Sequence, residues 1–234
     1  MDLKTKDISS RYIVTSKSIR TTEKMRIVAE GQQLVRVDRD SRDLTSQNIN
    51  QILMKVSKNI KTVDGIIISD YNKGVCTEVI VRDIITKAIE LKIPTYVDPK
   101  GKNWDKYYGA SVITPNLKEA EEAIGRSLVN DAEIEEAGME LCKKLSLSAC
   151  LITRGPNGMS YISKDLKFHV CSEAKEIYDV SGAGDTVIAS FASAILSGFD
   201  AEASTRFANK AAGIVVGHIG TTAITISELN EYSG

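Results

Sequence analysis

VDGIIISDYNKGVCTEVIVRDIITKAIELKIPTYVD, Val63 to Asp98, holds two short apolar runs with a helix-spaced segment between them. VDGIIIS (Val63–Ser69) suits a buried strand, Thr77 to Leu91 a helix, and PTYVD (Pro94–Asp98) a second strand. A strand, a helix and a strand in that order predict an α/β fold on a mostly parallel sheet.

The same alternation continues downstream. SVIT (Ser111–Thr114) and ACLIT (Ala149–Thr153) read as further strands. Asn130-Asp131-Ala132-Glu133 resembles a capping box opening a helix with Ile134, Ala137, Leu141 and Leu145 on one face. GMSYIS and KFHVCSEA are expected to pair antiparallel. Two helices are expected to close the chain, one after Gly184 and ending at Gly198, one from about Ala201 to Val216. Upstream, Ile49, Ile52, Leu53, Val56 and Ile60 recur at helical spacing, with Ser46 as the expected cap. The first forty residues alternate instead. YIVT and the stretch through Val35 and Val37 read as strands with a turn at Glu30-Gly31, a small sheet separate from the core. The expected organisation is one domain over 1–234, with a lid-like 1–40 and an α/β core over 45–234.

Bulk properties exclude several classes. The chain has 234 residues and a formal net charge of −1, with no basic excess to hold a nucleic acid or an anionic membrane. No apolar run approaches a membrane span. MDLKTKDISSRYIV lacks the apolar centre of a signal peptide, so a cytoplasmic protein is expected. Cys76, Cys142, Cys150 and Cys171 form no CxxC and are read as reduced thiols, Cys150 and Cys171 as buried fillers. His169 and His218 stand apart from any cysteine cluster, which argues against zinc. Trp104, Tyr107 and Tyr108 read as core packing.

In parallel sheets ligands gather beyond the carboxyl ends of the strands. Here those ends carry Asp70-Tyr71-Asn72-Lys73-Gly74, Asp98-Pro99-Lys100-Gly101, Pro115-Asn116-Leu117-Lys118-Glu119 and Thr153-Arg154-Gly155-Pro156-Asn157-Gly158. Four polar or glycine-rich turns in series favour one shared site. A fifth element joins them. DVSGAGDTVIASFASAIL (Asp179–Leu196) places Gly182-Ala183-Gly184 before a helix whose inward face is Ile188, Phe191 and Ile195. First-turn amides are unpaired and carry partial positive charge, so a glycine entry there makes an anion site. Asp185 sits in that turn. It is either a favourable first-turn acid or a general base beside the anion hole. Phosphoryl transfer needs both a proton acceptor and donors for the spreading charge. There is no GxxxxGK[ST], and Val187 stands where the dinucleotide fingerprint wants Gly or Ala.

VSGAGDTVIASF resembles the C-terminal signature of the ribokinase-like sugar kinases. The resemblance implies a ribokinase-like fold, with Asp185 as catalytic base and Gly182, Ala183 and Gly184 as its anion hole. PNLKEAE resembles the family's NxxE motif. It implies a nucleotide-side turn over Asn116, Leu117, Lys118 and Glu119, with Asn116 and Glu119 acting indirectly on magnesium. TRGPNGM resembles the glycine turn of the nucleotide side, at Thr153, Gly155 and Gly158. ANKAAG resembles the helix bordering the adenine pocket, at Asn209 and Gly213. TTEKMRIVAEGQQLVRVD, SDYNKGV, YVDPKG and VITPNLKEAE look closest to the bacterial heptose 7-phosphate kinases of ADP-heptose and lipopolysaccharide synthesis.

That subgroup implies transfer of the ATP γ-phosphoryl group to the anomeric hydroxyl of D-glycero-D-manno-heptose 7-phosphate. The cofactor implied is Mg-ATP, with a monovalent cation left open. Candidate substrate contacts are Lys24, Arg26, Asp70, Lys73, Asp98 and Lys100, each with loop or surface structure as the alternative; Arg20 reads as a solvated strand face. Two departures from the family pattern stand out. A leading strand and GGAAxN-type segment are missing, so the chain is expected to be N-terminally shortened, with a bared sheet edge that favours a homodimer or other self-association. GHIGTTAIT has no HxGH motif, so no adenylyl transfer is expected. Two rivals stay open: a related kinase of ribose, fructose or a hexose phosphate, and an inactive fragment that binds nucleotide but lacks a sugar site.

Overall fold

Neighbouring residues along each core strand face opposite ways, and this sets the layers. In a computed structural model describing residues 9–16, 19–29, 32–40, 44–174 and 176–231, Val97, Ile113 and Ile152 join one buried cluster. Tyr96, Val112 and Leu151 join another. The strands at Thr95–Asp98, Val112–Ile113 and Ala149–Thr153 are therefore covered on both faces, which is why they read as unbroken apolar runs. VDGIIIS departs from the buried strand expected of it: it lies at one end of the sheet, and Ile67 is 45% exposed.

The strands are β3 (Ile66–Ser69), β4 (Thr95–Asp98), β5 (Val112–Ile113), β6 (Ala149–Thr153), β7 (Met159–Ser163) and β8 (Lys167–Val170). They lie side by side in that order in one six-stranded sheet. β3 to β6 run parallel; β7 and β8 return antiparallel, as the pattern of GMSYIS and KFHV implies. The resemblance to a ribokinase-like core holds: parallel strands, helices on both faces, and a small sheet apart.

One face is covered by α2 (Glu78–Leu91), α3 (Leu117–Ile124) and α4 (Asp131–Leu145), with α1 (Ser46–Asn59) packed alongside through Ile49, Ile52, Leu53 and Val56. The other is covered by α5 (Ala183–Leu196) and α6 (Ala201–Val215). Phe191 of α5 is 1% exposed and meets Tyr96 edge to face at 6.2 Å, which seats α5 on the sheet. Truncating such a side chain to alanine costs about 3–5 kcal/mol.

Several local expectations change. Thr45, not Ser46, caps α1, its hydroxyl accepting from the Asn48 amide. YIVT is no strand: Ser10–Tyr12 is a single 3-10 turn, and no strand runs through 13–16. At α4, Asn130 accepts from the Glu133 amide, but the Glu133 carboxylate turns back to the Val129 amide and the box stays half closed. A short third helix, α7 (Ile226–Glu231), follows the two expected at the end. Cys171 is exposed while Cys150 is buried. Trp104 and Tyr107 are buried, but Tyr108 is 49% exposed.

β1 (Glu23–Ala29) and β2 (Gln32–Arg39) form a separate antiparallel pair. Met25 stands opposite Val37 and Ile27 opposite Val35. These four side chains share one face, because alternate residues of a strand do. The expected turn at Glu30-Gly31 lies outside the described residues, as does the side chain of Arg26.

Candidate active site

The C-terminal ends of β3 and β4 bring Ser69, Tyr71 and Asp98 to the start of α5, and the turns after β5 and β6 adjoin them through Glu119 beside Asp98 and the Thr153–Asn116 bridge. Gly182 caps that helix at φ 85°, a left-handed conformation that glycine adopts without penalty. The Ala183 amide is spent on the Val180 carbonyl at 3.2 Å. It is thus withdrawn from the anion-holding set expected of Gly182 to Gly184. A Cβ at Gly184 would meet nothing within 4 Å, so the first turn is open to an approaching group.

Asp185 points from that turn across to the end of β3. Its Oδ1 and Oδ2 accept from the Tyr71 hydroxyl at 2.7 and 2.6 Å, and Oδ1 accepts from Ser69 Oγ at 3.3 Å. Loss of solvent, and then the bond to Asp185, push the Tyr71 phenol up to about 12. Asp98, at the end of β4, is pushed up to about 7, first by desolvation, then by the nearby carboxylates of Glu119 and Asp185; Lys100 partly offsets them. Asp98 therefore lies in a field set by Asp185 and Glu119 together.

Asn116 and Glu119 form the closed capping box of α3. The Asn116 side chain accepts from the Glu119 amide at 2.9 Å, and Glu119 Oε2 accepts from the Asn116 amide at 3.0 Å. Glu119 Oε1 is ion-paired with Lys100, whose ammonium is held above its usual range by that bond. Leu117 packs into the core and Lys118 leans toward Glu122 at 4.0 Å, so neither joins the carboxylate group. Thr153 bridges Asn116, which brings the NxxE and TRG turns into contact. Behind that turn, Gly155 has φ 56°. A Cβ on Gly158 would sit 1.9 Å from the Val170 carbonyl, a place only glycine can fill. Asn209 is 4% exposed and donates to the Cys171 carbonyl at 2.8 Å. A Cβ at Gly213 would press on the Ala174 amide at 3.1 Å. Both residues thus fix the 171–174 segment against α6.

Among the candidate substrate contacts, Asp70 is 3% exposed and takes Lys106 at 2.5 Å, Tyr107 at 2.7 Å and the Asn72 amide at 2.6 Å. It anchors its loop. Lys73 is paired with Asp40 at 2.5 Å and Asp38 at 3.4 Å, tying the same loop to β2. Lys24 Nζ stands 4.9 Å over the Tyr71 ring. Arg20 lies outside β1, so it is not a strand residue; with Lys24, Lys55 and Lys73 it lines a cleft of about 970 Å³. The far wall of that cleft is the face of α1 carrying Asn48, Ile52 and Val56, and it reaches Ser69 and Tyr71 beside Asp185. Tyr71, Ser69 and the α1 wall were not singled out by sequence reasoning.

Among the described residues, no group of three or more His, Cys, Asp or Glu is gathered to hold a metal. Both Glu119 oxygens are already engaged. Such a site would suit a magnesium ion that keeps its waters and is carried by substrate phosphates rather than by a cage of side chains. No helix among the described residues is long and apolar enough to cross a membrane.

The family described as pfkB family carbohydrate kinase matches residues 1–228. The bifunctional protein HldE of Sulfurimonas denitrificans is 39% identical over 227 residues, 97% of this chain and 47% of that protein. HldE of Geobacter sulfurreducens is 39% identical over 226 residues, 96% of this chain and 46% of that protein. The chain thus spans about half the length of the curated relatives it matches. Among solved structures, phosphofructokinase-2 from Escherichia coli in complex with potassium superposes with a TM-score of 0.78 at 19% identity, covering 92% of this chain and 70% of that one. Arabidopsis thaliana ribokinase complexed with ribose and ATP gives 0.70 at 17%, covering 87% and 65%.

Proposed function

Because the chain belongs to the pfkB family of carbohydrate kinases, we propose that it transfers the γ-phosphoryl group of Mg-ATP to the anomeric hydroxyl of D-glycero-D-manno-heptose 7-phosphate. One observation carries this reading: Asp185 stands at the junction of a cleft lined by Arg20, Lys24, Lys55 and Lys73 with the Asp98–Glu119 turns. Arg20 and Lys24 at the cleft suit a sugar that already bears a phosphate, while Lys73 is held by Asp38 and Asp40 and Lys55 by the Arg11 and Ile13 carbonyls. The glycine entry of α5 and the Thr153–Gly158 turn suit the phosphates of a nucleotide. The likeness of SDYNKGV and YVDPKG to heptose 7-phosphate kinases supports the sugar, and the curated relatives support the subgroup.

Asp185 takes the proton of the acceptor hydroxyl as its oxygen bonds to the γ-phosphorus. The bond from that phosphorus to the β,γ-bridging oxygen breaks, and ADP leaves with the electron pair. The first-turn amides receive charge from the transferred phosphoryl oxygens. Magnesium, when bound, neutralises phosphate charge; Asn116 and Glu119 hold the surrounding turn. We also infer self-association through the face of the β1–β2 pair that shows Met25, Ile27, Val35 and Val37, each between 43% and 52% exposed.

The deciding experiment measures ADP release with Mg-ATP and heptose 7-phosphate, against ribose and fructose 6-phosphate. Release that depends on the heptose supports the reading. Preference for either other sugar moves the substrate elsewhere in the family. Nucleotide binding without release under any sugar identifies a chain that keeps only the nucleotide half.

A further inference from the structure

A general base has to meet the hydroxyl it deprotonates within about 2.6–3.2 Å. In this structure a hydroxyl already stands there, and it belongs to the protein. One phenol, that of Tyr71, donates to both carboxylate oxygens of Asp185, at 2.7 and 2.6 Å. An acceptor sugar that takes the position between those two oxygens has to displace it.

The surroundings let the side chain move while its backbone stays put. Asp70, just before Tyr71, is locked by Lys106, Tyr107 and the Asn72 amide. Asn72, just after, has the left-handed φ of 54°. Lys73 is tied to Asp38 and Asp40 on the strand pair. Tyr71 itself is 49% exposed and lines the cleft, with Lys24 of β1 over its ring. The phenol, pushed up to about 12, stays protonated at neutral pH and remains a donor. Lys73 and Lys24 thus link the strand pair to the loop that covers the base.

We propose that Tyr71 is a positioning residue that latches the base: without sugar its hydroxyl fills the acceptor-hydroxyl position at Asp185, and the sugar's hydroxyl replaces it. The latch rests on the reading of Asp185 as the base. Its consequence concerns water. With ATP bound and no sugar present, a water at that position gives its proton to Asp185 while its oxygen bonds to the γ-phosphorus. The bond to the bridging oxygen breaks, releasing ADP and inorganic phosphate. Tyr71 keeps water from this position.

Tyr71→Phe retains the ring and removes only the hydroxyl. Sugar-independent ADP release from Mg-ATP is expected to rise by about tenfold or more, part of the range a positioned base supplies. The gain should vanish in Tyr71→Phe combined with Asp185→Asn, a loss that a merely structural tyrosine does not produce. Tyr71→Leu gives the same gain and serves if the phenylalanine chain misfolds. Release equal to or below that of the unaltered chain, with Mg-ATP binding intact in a thermal-shift assay, overturns the latch. Absence of Mg-ATP binding in the unaltered chain overturns the kinase reading, and the latch with it; the thermal-shift arm tells the two failures apart.

Discussion

Replacing Asp185 by asparagine keeps the shape of the side chain and removes the carboxylate proposed to accept the proton. Asp185→Asn is therefore expected to lower sugar-dependent turnover by about 10²–10⁴-fold while Mg-ATP still binds. Near-normal kcat in steady-state assays would take Asp185 out of the base role. Asp98 gives a second test through pH. Its folded-state value of about 7 lies above the ordinary 3.8, so the folded chain holds that proton more tightly than the unfolded chain. Stability from this group is present below about pH 4 and is lost as pH rises from there to about 7. In urea melts without magnesium, Asp98→Asn should flatten that decline. Equal slopes for both chains between pH 5 and 7.5 would mean that Asp98 is not perturbed.

At the scale of elements, the proposed function makes α3 join stability to nucleotide chemistry, because its cap is the NxxE stretch itself. Asn116→Ala removes the oxygen that takes the Glu119 amide and should cost about 1 kcal/mol of stability. Glu119→Gln weakens the Lys100 pair and the field around Asp98. Both changes should raise the magnesium concentration needed for half-maximal ADP release; an unchanged magnesium titration would limit the motif to capping. The same helix shows what could be read in advance. Asn116-x-x-Glu119 and Asn130-x-x-Glu133 have the same letters, yet only the first box closes, since Glu133 finds the Val129 amide instead. The strands from Thr95 to Thr153 were readable because burial on both faces leaves apolar runs, whereas IIIS gives the same run at the end of the sheet with Ile67 exposed. YIVT misled because four alternating residues satisfy a strand pattern without securing a partner strand. Arg20 misled in the same way. The carboxylate side of the site was readable from strand-end turns and the glycine entry of α5. Tyr71 was not, because its role depends on a contact with a residue 114 positions away.

At the scale of the molecule, the β1–β2 pair carries an unbalanced surface. A two-stranded ribbon alone is marginal in water. Here its contacts to the core include Lys73 with Asp38 and Asp40, and Lys24 over Tyr71. Its Met25–Ile27–Val35–Val37 face stays open, although cross-strand apolar pairs stabilise a ribbon best when something covers them. A second copy offering the same face would cover both ribbons about a two-fold axis, the commonest symmetry of homo-oligomers. Sedimentation at rising concentration should then show a dimer. Ile27→Lys, which places a charge at the centre of that face, should shift the chain to monomer while nucleotide binding persists. The ribbon also carries Lys24 over Tyr71, so losing the dimer should raise the KM for sugar more than it lowers kcat. A chain that sediments as a monomer at all concentrations, with the KM of Ile27→Lys unchanged, would mean that the ribbon works alone.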